Sequence, residues 1–485
     1  MAAHAIKVDW LLARPGMGPE QHGAEIRFDA CGISAVTAIP PPGRGLIALP
    51  GLANAHDHAR VFRTSAMGAF DKPLESWLFY LGVVPGVDAY RAAATSLGRS
   101  ALRGVGRVMV HYTRVQGLTD PVSEAKEVAR AARDVGVHAG FAVAMRDRHP
   151  LSYADTVFTL QHLPPDIRED VESRLCRAPL PPRDQLALAD EIARACHGPG
   201  FNVQYGPAAV QWCSTELLET IADASARNGR QVHMHLLETC YQREWADHVF
   251  PNGIVTYLRD IGLLSPRLTL AHCTHCRPDE LAMIAESGAT ISVNTSSNLH
   301  LRSGIAPVAT MLAQGCKVAM GLDGQAFDED DDALRELRLL YHLHKGCGYG
   351  VAMSPAQAWQ VACHHGRHAV SGIADSGMIG PGEPADLLLL DADSLLEDRI
   401  FDDVNVLDFV LARASARHVS KVIVAGNTIV DQGCLTGIDY PAMMDELMTE
   451  LKMRMAPDDT WRRTVKALDR ALGPFHLQGH HLGCC

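Results

Sequence analysis

The chain has 485 residues, 47% hydrophobic and 21% charged, with a formal net charge of −12. That length exceeds one ordinary domain and leaves room for a large α/β barrel with an appendage. The acidic balance argues against nucleic acid or an anionic membrane as principal partner, and no run of about 18 apolar residues is present to span a bilayer.

Met1-Ala2-Ala3-His4 opens neither a basic nor an apolar leader region, so no secretory signal is expected. Thirteen cysteines follow no regular framework, and Cys273-Thr274-His275-Cys276 has no answering pair of zinc-ribbon type. The Cys484-Cys485 pair reads as a tail feature. Reduced thiols in a cytoplasmic protein are the expectation.

Residues 5–50 are rich in β-type and turn signals, including Pro40-Pro41-Pro42-Gly43. From there eight apolar runs of strand type recur. They are Leu46–Leu52 leading into His56, Val105–Tyr112, Val137–Met145, Phe201–Val210, Gln231–Leu237, Leu268–Cys273, Thr290–Asn294 and Lys317–Leu322. Helical periodicity lies between most of them, as in 214–227, 241–261, 278–287 and 306–314. Ser214-Thr215-Glu216 and Pro278-Asp279-Glu280 read as helix starts. Strand–helix alternation on this scale predicts a (β/α)8 TIM barrel over residues 51–374.

Two further runs, Ala385–Asp391 and Lys421–Val430, are broken by turn residues and read as antiparallel strands. Residues 1–50 and 375–435 therefore predict a small composite β-sandwich. Residues 436–485 form a helical extension in which Met443, Met444, Leu447 and Leu451 make one apolar stripe. That stripe suits core packing or a homo-oligomer contact. The acidic run Asp328–Asp332 reads as a solvated helix start.

In such a barrel the chemistry sits at the C-terminal ends of the strands, where this chain places its polar residues. Strand one ends Asn54-Ala55-His56-Asp57-His58. Residues two apart on a strand share a face, so His56 and His58 can address one metal. Strand five ends His233-Met234-His235-Leu236-Leu237-Glu238, with His235 the better ligand and His233 deeper. Strand six ends in His272, and strand eight in Gly321-Leu322-Asp323-Gly324. Each is a weak signal alone; four strand ends in one barrel carry the reading together.

This ordered set resembles the amidohydrolase superfamily, and more closely its cytosine deaminase-like branch, which includes S-adenosylhomocysteine and guanine deaminases and triazine hydrolases. The resemblance runs from about residue 5 to 432. It rests on Pro50-Gly51 with His56-Asp57-His58, His235-Leu236-Leu237-Glu238, Ala271-His272-Cys273, Ser297-Asn298, Gly321-Leu322-Asp323-Gly324, Pro384-Ala385-Asp386-Leu387 and Val424-Ala425-Gly426. It implies His56, His58, His235 and Asp323 as ligands of one divalent metal per subunit. Binuclear members carry a Lys or Glu on strand four, which Phe201–Pro207 lacks. Three nitrogen donors and one carboxylate suit Zn²⁺ first and Fe²⁺ second.

The same resemblance gives Glu238 a proton-shuttling role and Asp323 the proton of the attacking water. His272 would orient that water or the developing oxyanion. Arg60, Trp77, His111, Arg146, Gln211 and Asn298 are candidates for contact with a small-molecule substrate; Arg60 serves equally as a salt bridge at the barrel mouth, His111 equally as a support behind the metal, and Arg146 and Arg148 suit an anionic group or cap the barrel. Two departures count against a nucleoside. Ala208 replaces a base-contacting His, and Leu74-Glu75-Ser76-Trp77-Leu78 stands where relatives usually place a second acid before Trp to grip a ribose. The expected reaction is hydrolysis at an sp² carbon of a small, nitrogen-heterocyclic compound with release of ammonia or an amine. Removal of chloride, cleavage of an acyclic amide and a metal-free scaffold are the alternatives.

Overall fold

A computed structural model describes residues 4–324, 329–373, 376–455 and 460–483. Residues 1–3, Asp328 and the Cys484-Cys485 pair lie outside them. The acidic run does start a helix, since Asp332 caps Ala333–His344, but it is not solvated there: Asp331 and Asp332 are buried, with Asp331 paired to Arg99.

Eight parallel strands form one sheet in sequential order. Strand one is Leu52–Asp57, two Val105–Tyr112, three His138–Met145 and four Phe201–Pro207. Strand five is Val232–Leu236, six Leu268–His272, seven Thr290–Val293 and eight Lys317–Met320. The first and last strands meet where Asp323 N–H donates to His56 O at 2.9 Å and Leu322 N–H donates to Asn54 Oδ1 at 2.8 Å. Closure of the barrel therefore sets Asp323 beside His56.

The expected run Leu46–Leu52 is two strands in two sheets. Leu46–Pro50 pairs antiparallel with Leu387–Asp391 in the second sheet, whereas Leu52–Asp57 belongs to the barrel. The chain changes sheets at Gly51. Its N–H donates to Asp386 O at 3.0 Å, and a Cβ there would lie 3.3 Å from the Asp386 carbonyl carbon. Continuous hydrophobicity along 46–52 hid this boundary, because both halves are buried.

The second sheet also has eight strands, drawn from both ends of the chain. It curls until Ile33 N–H donates to Glu383 O at 2.8 Å, enclosing Val8, Ile26, Phe28, Leu387, Leu389 and Ile423. Asp386 ties it to the barrel. Its Oδ2 accepts from Arg107 Nε at 2.7 Å and Arg367 Nη2 at 2.8 Å, with all three side chains buried.

The helical reading over 241–261 resolves into Cys240–Val249 and Ile254–Asp260. Pro251 cannot donate to a continuing helix, and Gly253 takes φ 93°. Ser214 caps the helix Thr215–Asn228 by accepting from Leu217 N–H, and at Pro278–Ser287 the Glu280 carboxylate reaches back to accept from Arg277 N–H at 2.8 Å.

The extension forms the helices Tyr440–Arg454 and Thr460–Leu477. Leu447 and Leu451 pack on Val87 and Ala92, with Met444 alongside, so this part of the stripe is covered by the chain itself. Val465, Leu468, Leu472 and Phe475 pack with Leu74, Trp77, Ile167 and Val171. The last long helix thus buttresses two loop helices at the barrel mouth, Leu74–Tyr80 and Pro165–Leu175. Every described cysteine is a free thiol, and no helix among the described residues is long and apolar enough to cross a membrane.

Candidate metal centre and active site

Strand ends bring the predicted residues together. His58 Nε2 lies 3.3 Å from His235 Nε2 and 3.2 Å from Asp323 Oδ1, and His56 Nε2 lies 3.5 Å from the same oxygen. All four side chains are buried. The outer ring nitrogens are already assigned: His58 Nδ1–H donates to His111 O and His235 Nδ1–H to Ala208 O, each at 2.7 Å. The two Nε2 atoms therefore carry lone pairs that face each other. Such a contact is repulsive unless a cation lies between them.

The electrostatics agree. Burial first, then the neighbouring imidazoles, holds His56 and His235 well below their ordinary pKa, and His58 is lowered by burial and by Arg60. These rings are neutral, as metal ligands must be. Burial alone would raise Asp323, but the neighbouring positive charge, the Arg60 guanidinium first, outweighs it and holds the carboxyl well below its usual range. His56 Nδ1 and Nε2 and Asp323 Oδ1 are buried without a hydrogen-bond partner. Orphaned donors on converging side chains fit a divalent cation, and His56, His58 and Asp323 form one of two ligand groups whose atoms lie within 4.8 Å of one another.

Glu238 and His272 stand next to this cluster. His272 Nε2 is 3.5 Å from Glu238 Oε2, and its Nδ1–H donates to Asn298 Oδ1 at 2.8 Å. Burial pushes Glu238 up to about 7, a value suited to moving protons near neutrality. Left-handed backbone is concentrated at the same strand ends, at Leu237 (φ 49°), His272 (φ 75°), Cys273 (φ 49°) and Asp323 (φ 54°). Non-glycine residues adopt this region at a cost that functional sites commonly carry.

A cavity of about 590 Å³ opens over the cluster, lined by His58, His235, Glu238, His272 and Asp323 at its inner end. Of the six expected substrate contacts, Arg60, Trp77 and Arg146 line it. Arg60 donates to Asp323 O at 2.5 Å and lies over the Trp77 ring at 4.5 Å. The other three do not line it. His111 is packed behind the cluster, 3.4 Å from His233 Nδ1. Asn298 is spent on His272, and Gln211 is buried to one side.

Two contacts were missed in the sequence. Ser297 Oγ donates to Asp323 Oδ2 at 2.6 Å, and Ser303 Oγ donates to Glu238 Oε1 at 3.3 Å. Serine is too common in loops for either to stand out by residue type; only the proximity of the Ser297-Asn298 pair to the resemblance hinted at the first.

Comparison with known proteins agrees with the fold. The model of the amidohydrolase family matches residues 47–429, and the chain belongs to that family. It is accordingly a hydrolase acting on carbon–nitrogen bonds of small molecules. A 5-methylthioadenosine/S-adenosylhomocysteine deaminase of Dictyoglomus thermophilum is 27% identical over 404 residues, covering 83% of this chain and 86% of that protein. A 5'-deoxyadenosine deaminase of Methanothermobacter thermautotrophicus is 27% identical over 411 residues, with the same coverages. Among solved structures, a zinc-bound adenosine deaminase from Xanthomonas campestris superposes with a TM-score of 0.74 at 21% identity, covering 95% of this chain and 98% of its own. A zinc complex of an atrazine chlorohydrolase from Arthrobacter aurescens gives 0.73 at 21% identity, covering 92% and 99%.

Proposed function

We propose that this protein is a mononuclear metal-dependent aminohydrolase of a small nitrogen heterocycle, with His56, His58, His235 and Asp323 as ligands. The observation that carries the reading is the pair of facing Nε2 lone pairs of His58 and His235, beside Asp323 Oδ1, at the floor of a cavity that also holds Glu238 and His272. Three imidazoles and one carboxylate suit zinc, with ferrous iron second, and the zinc-bound fold relatives support that order. One metal per chain follows from strand four, where Phe201–Pro207 offers no Lys or Glu.

A divalent metal bound there supplies water acidified enough to attack an sp² carbon near neutral pH. Asp323 takes a proton from that water. His272 turns Nε2 into the cavity, because Asn298 holds its Nδ1, and that lone pair accepts a hydrogen bond from the attacking water and keeps it oriented. Glu238 delivers a proton to the ring nitrogen or the departing amine. Arg60, stacked over the buried Trp77 ring, gives the heterocycle a flat cationic wall. Arg146 and Arg148 line the outer cavity without an ion pair among the described residues, and burial lowers Arg146. Both suit an anionic substituent on the substrate.

The named relatives favour deamination of an adenine nucleoside, but Ala208 and the orientation of Glu75 favour a heterocycle without a ribose grip. Free cysteines and an acidic surface fit a cytoplasmic enzyme. The test is ammonia release over aminated pyrimidines, purines, pterins and triazines, with Glu238→Gln as control. Turnover of an aminated ring, lowered about 10²- to 10⁴-fold by Glu238→Gln with metal content unchanged, is the expected result. Turnover confined to chlorinated rings or acyclic amides would move the assignment to those reactions. A protein that takes up no metal on reconstitution would make it a scaffold.

A further inference from the structure

The loop after strand seven holds Glu238 by only one of its two oxygens. We propose that Ser303 is a positioning residue for the proton relay, its hydroxyl holding Glu238 Oε1 so that Oε2 carries the transferred proton. The inference rests on the reading of Glu238 as the proton carrier.

Ser303 is 2% exposed, and its Oγ lies 3.3 Å from Glu238 Oε1. Its backbone is clamped on both sides. Its N–H donates to Asn298 O at 2.8 Å, and its O accepts from His275 Nε2–H at 2.7 Å. Gly304 follows at φ 113°, which turns the chain away directly after the serine. The hydroxyl is thus delivered by fixed backbone rather than by a mobile loop.

The other carboxyl oxygen has different surroundings. Oε2 faces His272 Nε2 at 3.5 Å, and that nitrogen bears a lone pair because Nδ1–H is donated to Asn298. A protonated Glu238 therefore carries its proton on Oε2, where an acceptor faces it, while Oε1 receives the Ser303 hydrogen. When Oε2–H gives its proton to the leaving nitrogen, the carboxylate that remains keeps the Ser303 hydrogen bond, now to a charged acceptor and correspondingly stronger. No proton is gained or lost by Ser303 in this step. Asn298 serves both partners, with its side chain on His272 and its carbonyl on Ser303.

The test is steady-state kinetics of Ser303→Ala and Ser303→Thr beside Glu238→Gln, on the best substrate from the ammonia-release panel, with metal content and Tm measured. Ser303→Ala is expected to lower kcat about 10- to 100-fold, the range for a hydrogen bond to a charged group, with KM and metal content little changed. Its kcat limb belonging to Glu238 should move to higher pH, since the carboxylate has lost a donor. Ser303→Thr should restore most of both. Wild-type kcat and pH profile in Ser303→Ala, or a loss that Thr does not restore and that follows metal content or Tm, would overturn the proposal. If Glu238→Gln is impaired and Ser303→Ala is not, Ser303 alone is wrong; if Glu238→Gln costs nothing, the role of Glu238 falls first and this one with it.

Discussion

Glu75 accepts the Thr239 hydroxyl at 2.6 Å, and the same oxygen accepts the Tyr153 hydroxyl at 2.7 Å. The acid that precedes Trp77 is therefore committed to the start of the helix that follows Glu238, and it does not line the cavity. Its second oxygen is buried as well, so a ribose hydroxyl in the cavity does not meet Glu75. A ribonucleoside and its 2',3'-dideoxy analogue should accordingly be turned over with kcat/KM values within about 3-fold of each other, well short of the loss expected when a charged hydrogen bond is removed. A clear preference for the ribonucleoside would mean that Glu75 turns toward the substrate.

Metal removal should be visible in stability as well as in activity. The facing Nε2 atoms of His58 and His235 favour the loaded state, and a ligand present at a thousandfold its Kd stabilises by roughly 4 kcal/mol. Chelation should abolish turnover and lower Tm, and added Zn²⁺ should reverse both at one equivalent per chain. His235→Ala should have a low Tm that neither treatment changes. Two equivalents at saturation would refute the mononuclear reading.

Glu336 gives a pH dependence remote from the centre. It is buried, accepts the Ser296 N–H at 3.0 Å and also its hydroxyl, and burial raises it to about 7. A carboxyl raised in the fold binds its proton more tightly there than in the unfolded chain. Its contribution is complete below the unfolded value and is lost as pH rises through about 7, on the order of 3 kcal/mol for a shift of this size. Glu336→Gln should therefore flatten the Tm–pH curve between pH 5 and 8. An unchanged slope would show that Glu336 titrates as it does in the unfolded chain.

Asp386 should matter to folding rather than to chemistry. Replacing it with Ala leaves Arg107 and Arg367 buried without their carboxylate, a change that costs about 3–5 kcal/mol. Denaturant unfolding of Asp386→Ala should show that loss, whereas metal binding by the folded fraction stays normal. Asp386→Asn should recover little, because an amide oxygen cannot neutralise two guanidinium groups.

The barrel and the shared face of His56 and His58 were legible in the sequence, because both depend on a local period, whereas the full set of His56, His58, His235 and Asp323 came with the family resemblance. Strands alternate sides every second residue, so His56 and His58 had to share a face, and strand–helix alternation left few architectures for the donors to occupy. Several features had no such signature. Gly51 divides a continuous apolar run between two sheets because of a backbone contact with Asp386, which lies far along the chain. Ser297 and Ser303 gain their meaning from where two acids stand, and nothing in a serine's neighbours announces that. Chain order also could not tell that Glu75 would be held by Tyr153 and Thr239, or that the terminal helix would support the mouth of the cavity. Local periodicity determines which residues can face inward; contacts between distant segments decide which atom of each residue is left free to react.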